Sequence, residues 1–267
     1  MKKTILALSL AALSVPALAQ GKKPEPEYTI SGNFGVTSDY RFRGISQTNL
    51  NPAVQGGVDI AHKSGLYLGN WNSSVSEWAA PYGSTEMDLY GGYKTELMGI
   101  GLDFGAIQYY YPGAQSSQTD TTNLWNTSEA YIGASYGPVS IKASSVLSSR
   151  YFGLGKNTTS QTGLANTLSL KGSAYLDLSF AKEVAPRTTV KLHYGTLNLK
   201  GSTKWGIVDY SYGIFYDLGE GWTASLVGYN ADLSTNAKDS NFFTEFGNTT
   251  SKKLYKSGGA IALTKTF

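Results

Sequence analysis

The sequence predicts an all-β fold: a transmembrane antiparallel up-and-down β-barrel of about 12 strands, with both termini periplasmic. Three observations carry that expectation. Apolar and polar residues alternate with period two over long stretches, short and long polar links take turns between those stretches, and an export leader precedes them.

Composition narrows the alternatives. The 267 residues include no cysteine, which excludes a disulfide scaffold, thiolate metal sites and a cysteine nucleophile. Charged side chains make up 15% of the chain against roughly 25% in ordinary domains, while aromatics reach 13%, the opposite of a disordered composition. A net charge of +3 without a long basic block leaves no footprint for nucleic acid. Mean hydropathy is slightly negative, unlike that of a membrane-helix bundle.

The leader comes first. Lys2 and Lys3 precede an apolar run at residues 4–15, Pro16 breaks it, and Ala17-Leu18-Ala19 supplies the small residues of a cleavage site. That run is too short to cross roughly 30 Å of hydrocarbon. The expected organisation is a signal peptide at residues 1–19, a periplasmic N-terminal tail at 20–27 and an outer-membrane barrel at 28–267.

The alternation starts at Tyr28. Tyr28, Ile30, Phe34, Val36, Tyr40 and Phe42 share one parity, against Thr29, Ser31, Asn33, Thr37, Asp39, Arg41 and Arg43. A helix would mix these two classes around its axis, whereas an extended chain separates them. Val54, Val58 and Ile60 then oppose Gln55 and Asp59, and a weaker segment covers 66–76. Met87, Leu89 and Tyr93 oppose Glu86, Asp88 and Lys94; Ile100, Leu102, Phe104 and Ala106 oppose Asp103. Weaker segments follow at 128–136 and 139–151. Leu168, Leu170, Ala174, Leu176, Leu178 and Phe180 oppose Ser169, Lys171, Ser173, Asp177 and Ser179. Val190, Leu192 and Tyr194 oppose Lys191 and His193; Val208, Tyr210, Tyr212, Ile214 and Tyr216 oppose Asp209, Ser211 and Asp217. The last segments are 222–231 and 256–267.

The links distinguish a membrane barrel from a soluble sandwich, whose connections follow no long-and-short rule. Short links fall at 62–65, 95–99, 136–138, 182–187 and 218–221. Long polar ones fall at 45–52, 77–85, 112–127, 152–167, 198–204 and 232–255. Together they return both ends of the chain to the short-turn side. In hydrocarbon only helices or closed barrels satisfy every backbone group, and no helix-length apolar run is present after the leader. Tyr28, Trp71, Trp205 and Trp222, near strand ends, are expected in interfacial girdles.

The carboxyl end fits the same class. Phe267 is terminal, with Leu263, Ile261 and Gly259 on its parity, the pattern expected of a signal for the barrel-assembly machinery. Lys265 departs from an apolar pattern at that position, but a lysine near the interface can snorkel to water.

At Ser38-Asp39-Tyr40-Arg41-Phe42-Arg43-Gly44-Ile45-Ser46 the chain resembles the TorF family of porin-like outer-membrane proteins. The resemblance continues through Gly65-Leu66-Tyr67-Leu68-Gly69-Asn70-Trp71, residues 86–93 and Tyr109-Tyr110-Tyr111-Pro112-Gly113. It implies a barrel surrounded by outer-membrane lipids, with a channel activity that the family owes to its barrel character.

If the apolar parity faces lipid, the polar parity lines the lumen. Arg41 and Arg43 approach the first long link, Arg150 approaches a later one, and Glu86 and Asp88 begin the strand after 77–85. With Asp39 they form the candidate site, in the loop-side half of the lumen. The remaining lining charges are Asp59, Lys94, Asp103, Glu129, Lys142, Lys171, Asp177, Lys191, His193 and Asp209, so both signs occur in similar numbers and no large net field is expected. Two readings stay open: a charged constriction that selects solutes, or ion pairs that hold the barrel round.

Enzymatic chemistry lacks its parts. His62 falls in a turn and His193 lies mid-strand, with no serine motif around either. The Glu86/Asp88 spacing is that of two lining residues on one strand face. Residues 153–158 only superficially suggest a phosphate loop, because Arg150 stands where its first glycine belongs and Asn157 where Ser or Thr should follow Lys156. No metal-ligand spacing is visible, and no cofactor is expected. The function expected is passive diffusion of small polar solutes through a narrow charged lumen. The alternative is a closed barrel whose loops bind a ligand or partner, with Trp125, Phe242, Phe243 and Phe246 as exposed aromatics.

Overall fold

The computed structural model describes residues 26–115, 122, 125–155, 168–200, 206–233 and 254–267. The expected signal peptide, Trp205, Phe242, Phe243 and Phe246 lie outside the described residues.

The strands run β1 (Tyr28–Thr37), β2 (Arg41–Phe42), β3 (Ile45–Ser46), β4 (Ala53–His62), β5 (Leu66–Ser74) and β6 (Thr85–Leu97). Next come β7 (Ile100–Tyr110), β8 (Thr127–Tyr136), β9 (Val139–Val146), β10 (Arg150–Tyr151) and β11 (Leu154–Gly155). The chain ends with β12 (Ala174–Ala185), β13 (Thr188–Asn198), β14 (Gly206–Gly219), β15 (Trp222–Leu233) and β16 (Gly258–Thr266). Twelve of them form one closed antiparallel barrel in chain order, β16 returning to pair with β1. The four short strands form two hairpins, β2–β3 and β10–β11, inside the long links.

Short turns gather at one end, where the chain reverses with little material. Met98 and Gly99, and likewise Glu220 and Gly221, both take positive φ, the left-handed pair that a two-residue hairpin requires. β1 starts at this turn end, since Tyr28 pairs with His62, and Phe267 finishes there too.

The closing seam is shorter than the other edge of β1. Against β4 the register runs from Tyr28↔His62 to Thr37↔Ala53, but against β16 only from Asn33↔Thr266 to Thr37↔Ala262. Phe267 extends it: its N–H donates to the Gly32 carbonyl at 3.0 Å, and the Gly32 N–H donates back at 2.8 Å. Its ring lies over Gly32, where a Cβ would come within 2.6 Å of the ring edge.

Burial is inverted relative to a soluble protein. Ile30, Leu68, Leu89, Ile132, Ile214 and Leu226 are all exposed on the outer face, an apolar belt far beyond what a soluble monomer leaves in water. Among the described residues no helix is long and apolar enough to cross a membrane. Tyr28 and Trp222 stand exposed at the turn end, as girdle residues should. Lys265 reaches to the Glu220 carbonyl and lies 5.6 Å from the Trp222 ring, a snorkelled position.

Four sequence expectations are corrected. β1 stops at Thr37, so Tyr40 and Phe42 do not face lipid; Tyr40 is buried and Phe42 packs inside. Parity breaks because Ile261 donates its N–H to Ser38 Oγ, and Asp39 then gathers the next turn around its carboxylate. β9 ends at Val146 and β12 begins only at Ala174, which leaves Leu170 fully buried within a link and Lys171 exposed on a turn instead of in the lumen. Trp71 faces inward, edge-on to Tyr40 at 5.3 Å, because it shares the parity of Tyr67 and Gly69. Trp125 is half-buried against a packed apolar cluster, not an exposed loop aromatic.

Candidate functional site

The loop end of the lumen is filled by a plug. Two apolar clusters occupy it, joining link residues such as Ile45, Tyr111, Leu154, Leu170 and Leu254 to wall residues such as Val146, Tyr175, Leu197 and Ile207. The β2–β3 hairpin supplies its polar centre.

Asp39 shapes the hairpin. Its carboxylate accepts from Arg41 Nε at 2.7 Å, Ser46 Oγ at 2.6 Å and Thr48 Oγ1 at 3.2 Å. Arg41 also donates to the carbonyls of Gly44 and Lys256, which ties the hairpin to the approach of β16. Gly44, at φ 76, presses the hairpin tip against the wall: a Cβ there would lie 2.7 Å from that of Ala231 and 2.9 Å from that of Asp209. Only glycine meets both demands.

Arg43 enters the lumen from that tip. Nη1 and Nη2 donate to the two oxygens of Glu129 at 2.9 Å each, and Nη1 donates to the Tyr151 hydroxyl at 2.6 Å. The guanidinium stacks 4.0 Å from the Tyr175 ring and 4.8 Å from that of Phe42. Both members of the ion pair are buried, and the forked geometry is the one in which arginine binds carboxylate best.

Glu86 takes a different solution. It accepts from the Tyr40 hydroxyl at 2.9 Å and the Tyr111 hydroxyl at 2.8 Å, one on each oxygen. Burial, and then the charge of Glu86, pushes both of these loop hydroxyls well above the ordinary tyrosine range, so they remain donors. Asp88, two residues on along the same face, is 7% exposed, and its Oδ1 has no hydrogen-bond partner among the described residues.

Aromatic rings close the gaps. Phe152 sits edge-to-face with Phe42, Tyr109 and Tyr151, at centroid distances of 5.4, 5.0 and 4.6 Å. A cavity of about 70 Å³ remains between the hairpin and the other links, lined by Phe42, Arg43, Trp78, Tyr111 and Trp125 among others.

Towards the turn end the wall becomes polar and solvent-reached. Tyr67 donates to Asp103 at 2.7 Å and lies 2.5 Å from the Tyr131 hydroxyl, while Tyr90 donates to Asp59 at 2.7 Å. Lys94 and Lys142 stand over the Tyr67 and Tyr131 rings. His193, which shows no motif in sequence, lies between two carboxylates: Asp177 at 3.1 Å on Nδ1 and Asp209 at 2.9 Å on Nε2. Asp59, Lys94, Asp103, Lys142 and Lys191 are all only partly buried.

The six expected site residues divide. Glu86 and Asp88 lie buried on the β6 wall, with Glu86 bonded to two plug tyrosines; Arg43 pairs with Glu129 instead, and Asp39 and Arg41 pair with each other in the hairpin. Arg150 belongs to β10, in register with Gly155, and thus to the plug and not to the barrel wall. The charges are layered along the lumen. Asp39, Glu86, Asp88, Glu129 and Asp209 are deeply buried at the loop end with Arg41 and Arg43, whereas the lumen lysines Lys94, Lys142 and Lys191 lie nearer the turns. Tyr40, Tyr111, Tyr151 and Tyr175 carry no distinguishing signal in a sequence with 19 tyrosines. Among the described residues no group of three or more His, Asp or Glu could hold a metal ion.

The fold has solved counterparts. A KdgM porin aligns with a TM-score of 0.51 at 6% identity, over 89% of this chain and 99% of that one. A NanC porin aligns with a TM-score of 0.50 at 8% identity, over 90% and 99%. At such identities the likeness is one of fold. No curated protein sequence matches the chain. A family model described as a bacterial protein of unknown function matches residues 21–267, nearly the whole sequence, and the chain therefore belongs to the Gcw_chp family.

Proposed function

We propose that this protein is an outer-membrane channel of porin type, through which small polar solutes diffuse, and that the Arg43 plug is the narrowest part of the path. The observation that carries the reading is the partial exposure of Asp59, Lys94, Asp103, Lys142 and Lys191 inside a closed barrel. Twelve strands enclose more space than the eight whose interior side chains just fill, so water reaches these charges. The apolar outer belt, the fold of the two porins and the resemblance of residues 38–46 to TorF proteins support the same reading. On this account residues 1–19 direct export, the turn end with both termini faces the periplasm, and Phe267, Leu263 and Ile261 are read by the barrel-assembly machinery. Asp39, Arg41, Arg43, Glu86, Asp88 and Arg150 then set the size and charge of what passes.

The test is planar-bilayer recording of the refolded mature chain. Stable single-channel steps support the channel, and silence at every voltage contradicts it. The buried plug favours a second reading, a closed barrel that binds a partner through its links, and silence would leave that one standing.

A further inference from the structure

The loop-end carboxylates are not equally provided for. Asp39 has Arg41, Glu129 has Arg43, and Asp209 has His193. Glu86 has two tyrosine hydroxyls. Asp88 has neither a cation nor a donor on Oδ1 among the described residues, although it is more than nine-tenths buried.

Its surroundings suit a positive charge. The register puts Trp71 of β5 and Tyr109 of β7 directly across from Asp88, and Tyr90 follows on the same strand face. Facing pairs at this spacing have their side chains in reach of one another. Aromatic faces attract cations, and a cation held beside them favours the ionised form of the neighbouring carboxyl group. Arg43 cannot serve, because Glu129 takes both arms of its fork. A multidentate divalent site is not available, since no three acidic groups converge among the described residues and Ca²⁺ needs six or more oxygens.

We infer that Asp88 is a cation-accepting position of the lumen, which makes the path selective for small monovalent cations, alkali metal or primary ammonium, over anions. The inference rests on the channel reading for its consequence, but the site itself is separable. Cations lose water at this level and exchange it for the carboxylate and the surrounding rings, as in charged filters.

Reversal potentials in a KCl gradient test selectivity. Wild type should favour K⁺ over Cl⁻. Asp88→Asn should lower that permeability ratio about fivefold, the factor exerted by a unit charge about 4 Å away even in water. Asp88→Glu, which keeps the charge, should retain the ratio. An unchanged ratio in Asp88→Asn, or anion preference in wild type, overturns the proposal. If no variant conducts, the channel reading fails and the site is read by thermal unfolding of the detergent-folded full chain. Wild type should then melt higher in KCl than in N-methyl-D-glucamine chloride of equal strength, and Asp88→Asn should lose that difference. Equal midpoints for wild type in the two salts would refute the site.

Discussion

Arg43 and Glu129, separated by 86 positions in sequence, form a two-armed ion pair inside the barrel, both arms at 2.9 Å. The pair fastens the tip of the β2–β3 hairpin to the β8 wall, and Tyr151 and Tyr175 enclose the guanidinium from other elements. One side chain thus connects a link, a second link and two wall strands. The plug is held by an anchor, not by apolar contact alone.

That anchor has a measurable cost of removal. Glu129→Gln leaves a buried guanidinium without its counter-charge and should destabilise the barrel by about 3–5 kcal/mol. The double change Arg43→Met with Glu129→Leu removes both charges and should recover much of that loss. Denaturant unfolding in micelles reads both, and a double variant no more stable than the single one would argue against the burial argument.

The closing seam depends on Gly32. Gly32→Val places a side chain where the Phe267 ring lies and should lower the refolded fraction seen as a heat-shifted band on cold electrophoresis. Adding Phe267→Ala frees the space and should restore folding in vitro, where no assembly machinery reads the carboxyl end. Failure of the second change to help would point to strand propensity instead of the clash.

Facing is testable with neighbours. Leu226 is exposed on the outer face and Ser225 turns into the lumen. In a lipid-folded barrel Leu226→Arg should cost up to about 2–4 kcal/mol, the range for a charge on the lipid face. Ser225→Arg should cost distinctly less, since water reaches it. Equal costs would mean that the belt is not in hydrocarbon.

The barrel wall was legible in the sequence because lipid on one side and lumen on the other impose period two on every strand. Ile100 to Ala106 follow it throughout, and Val208 to Tyr216 depart from it only at Phe215, an apolar residue on the lumen parity. Parity puts Glu86 and Asp88 on one face of β6, and both are buried there. The plug was not legible, and the reason is local. Tyr40 and Phe42 continue the parity of β1, so nothing in the alternation marks the break at Ser38; the break comes from the hydrogen bonds that Asp39 makes seven and nine residues ahead. Trp71 lies towards the end of β5, where a girdle residue is expected, but its parity is that of the inward face. Leu154, Leu170 and Leu199, apolar residues inside or bordering polar links, were the signal for a folded-in plug.

The most direct test of the account compares single-channel conductance of wild type with Arg43→Ala under one salt and voltage. If the plug limits a water-filled lumen, wild type gives small stable steps and Arg43→Ala gives larger ones, because the hairpin loses its hold on Glu129. If Arg43→Ala folds and conducts no more than wild type, the plug does not set the path. If neither conducts, the lumen is closed and the protein is not a channel.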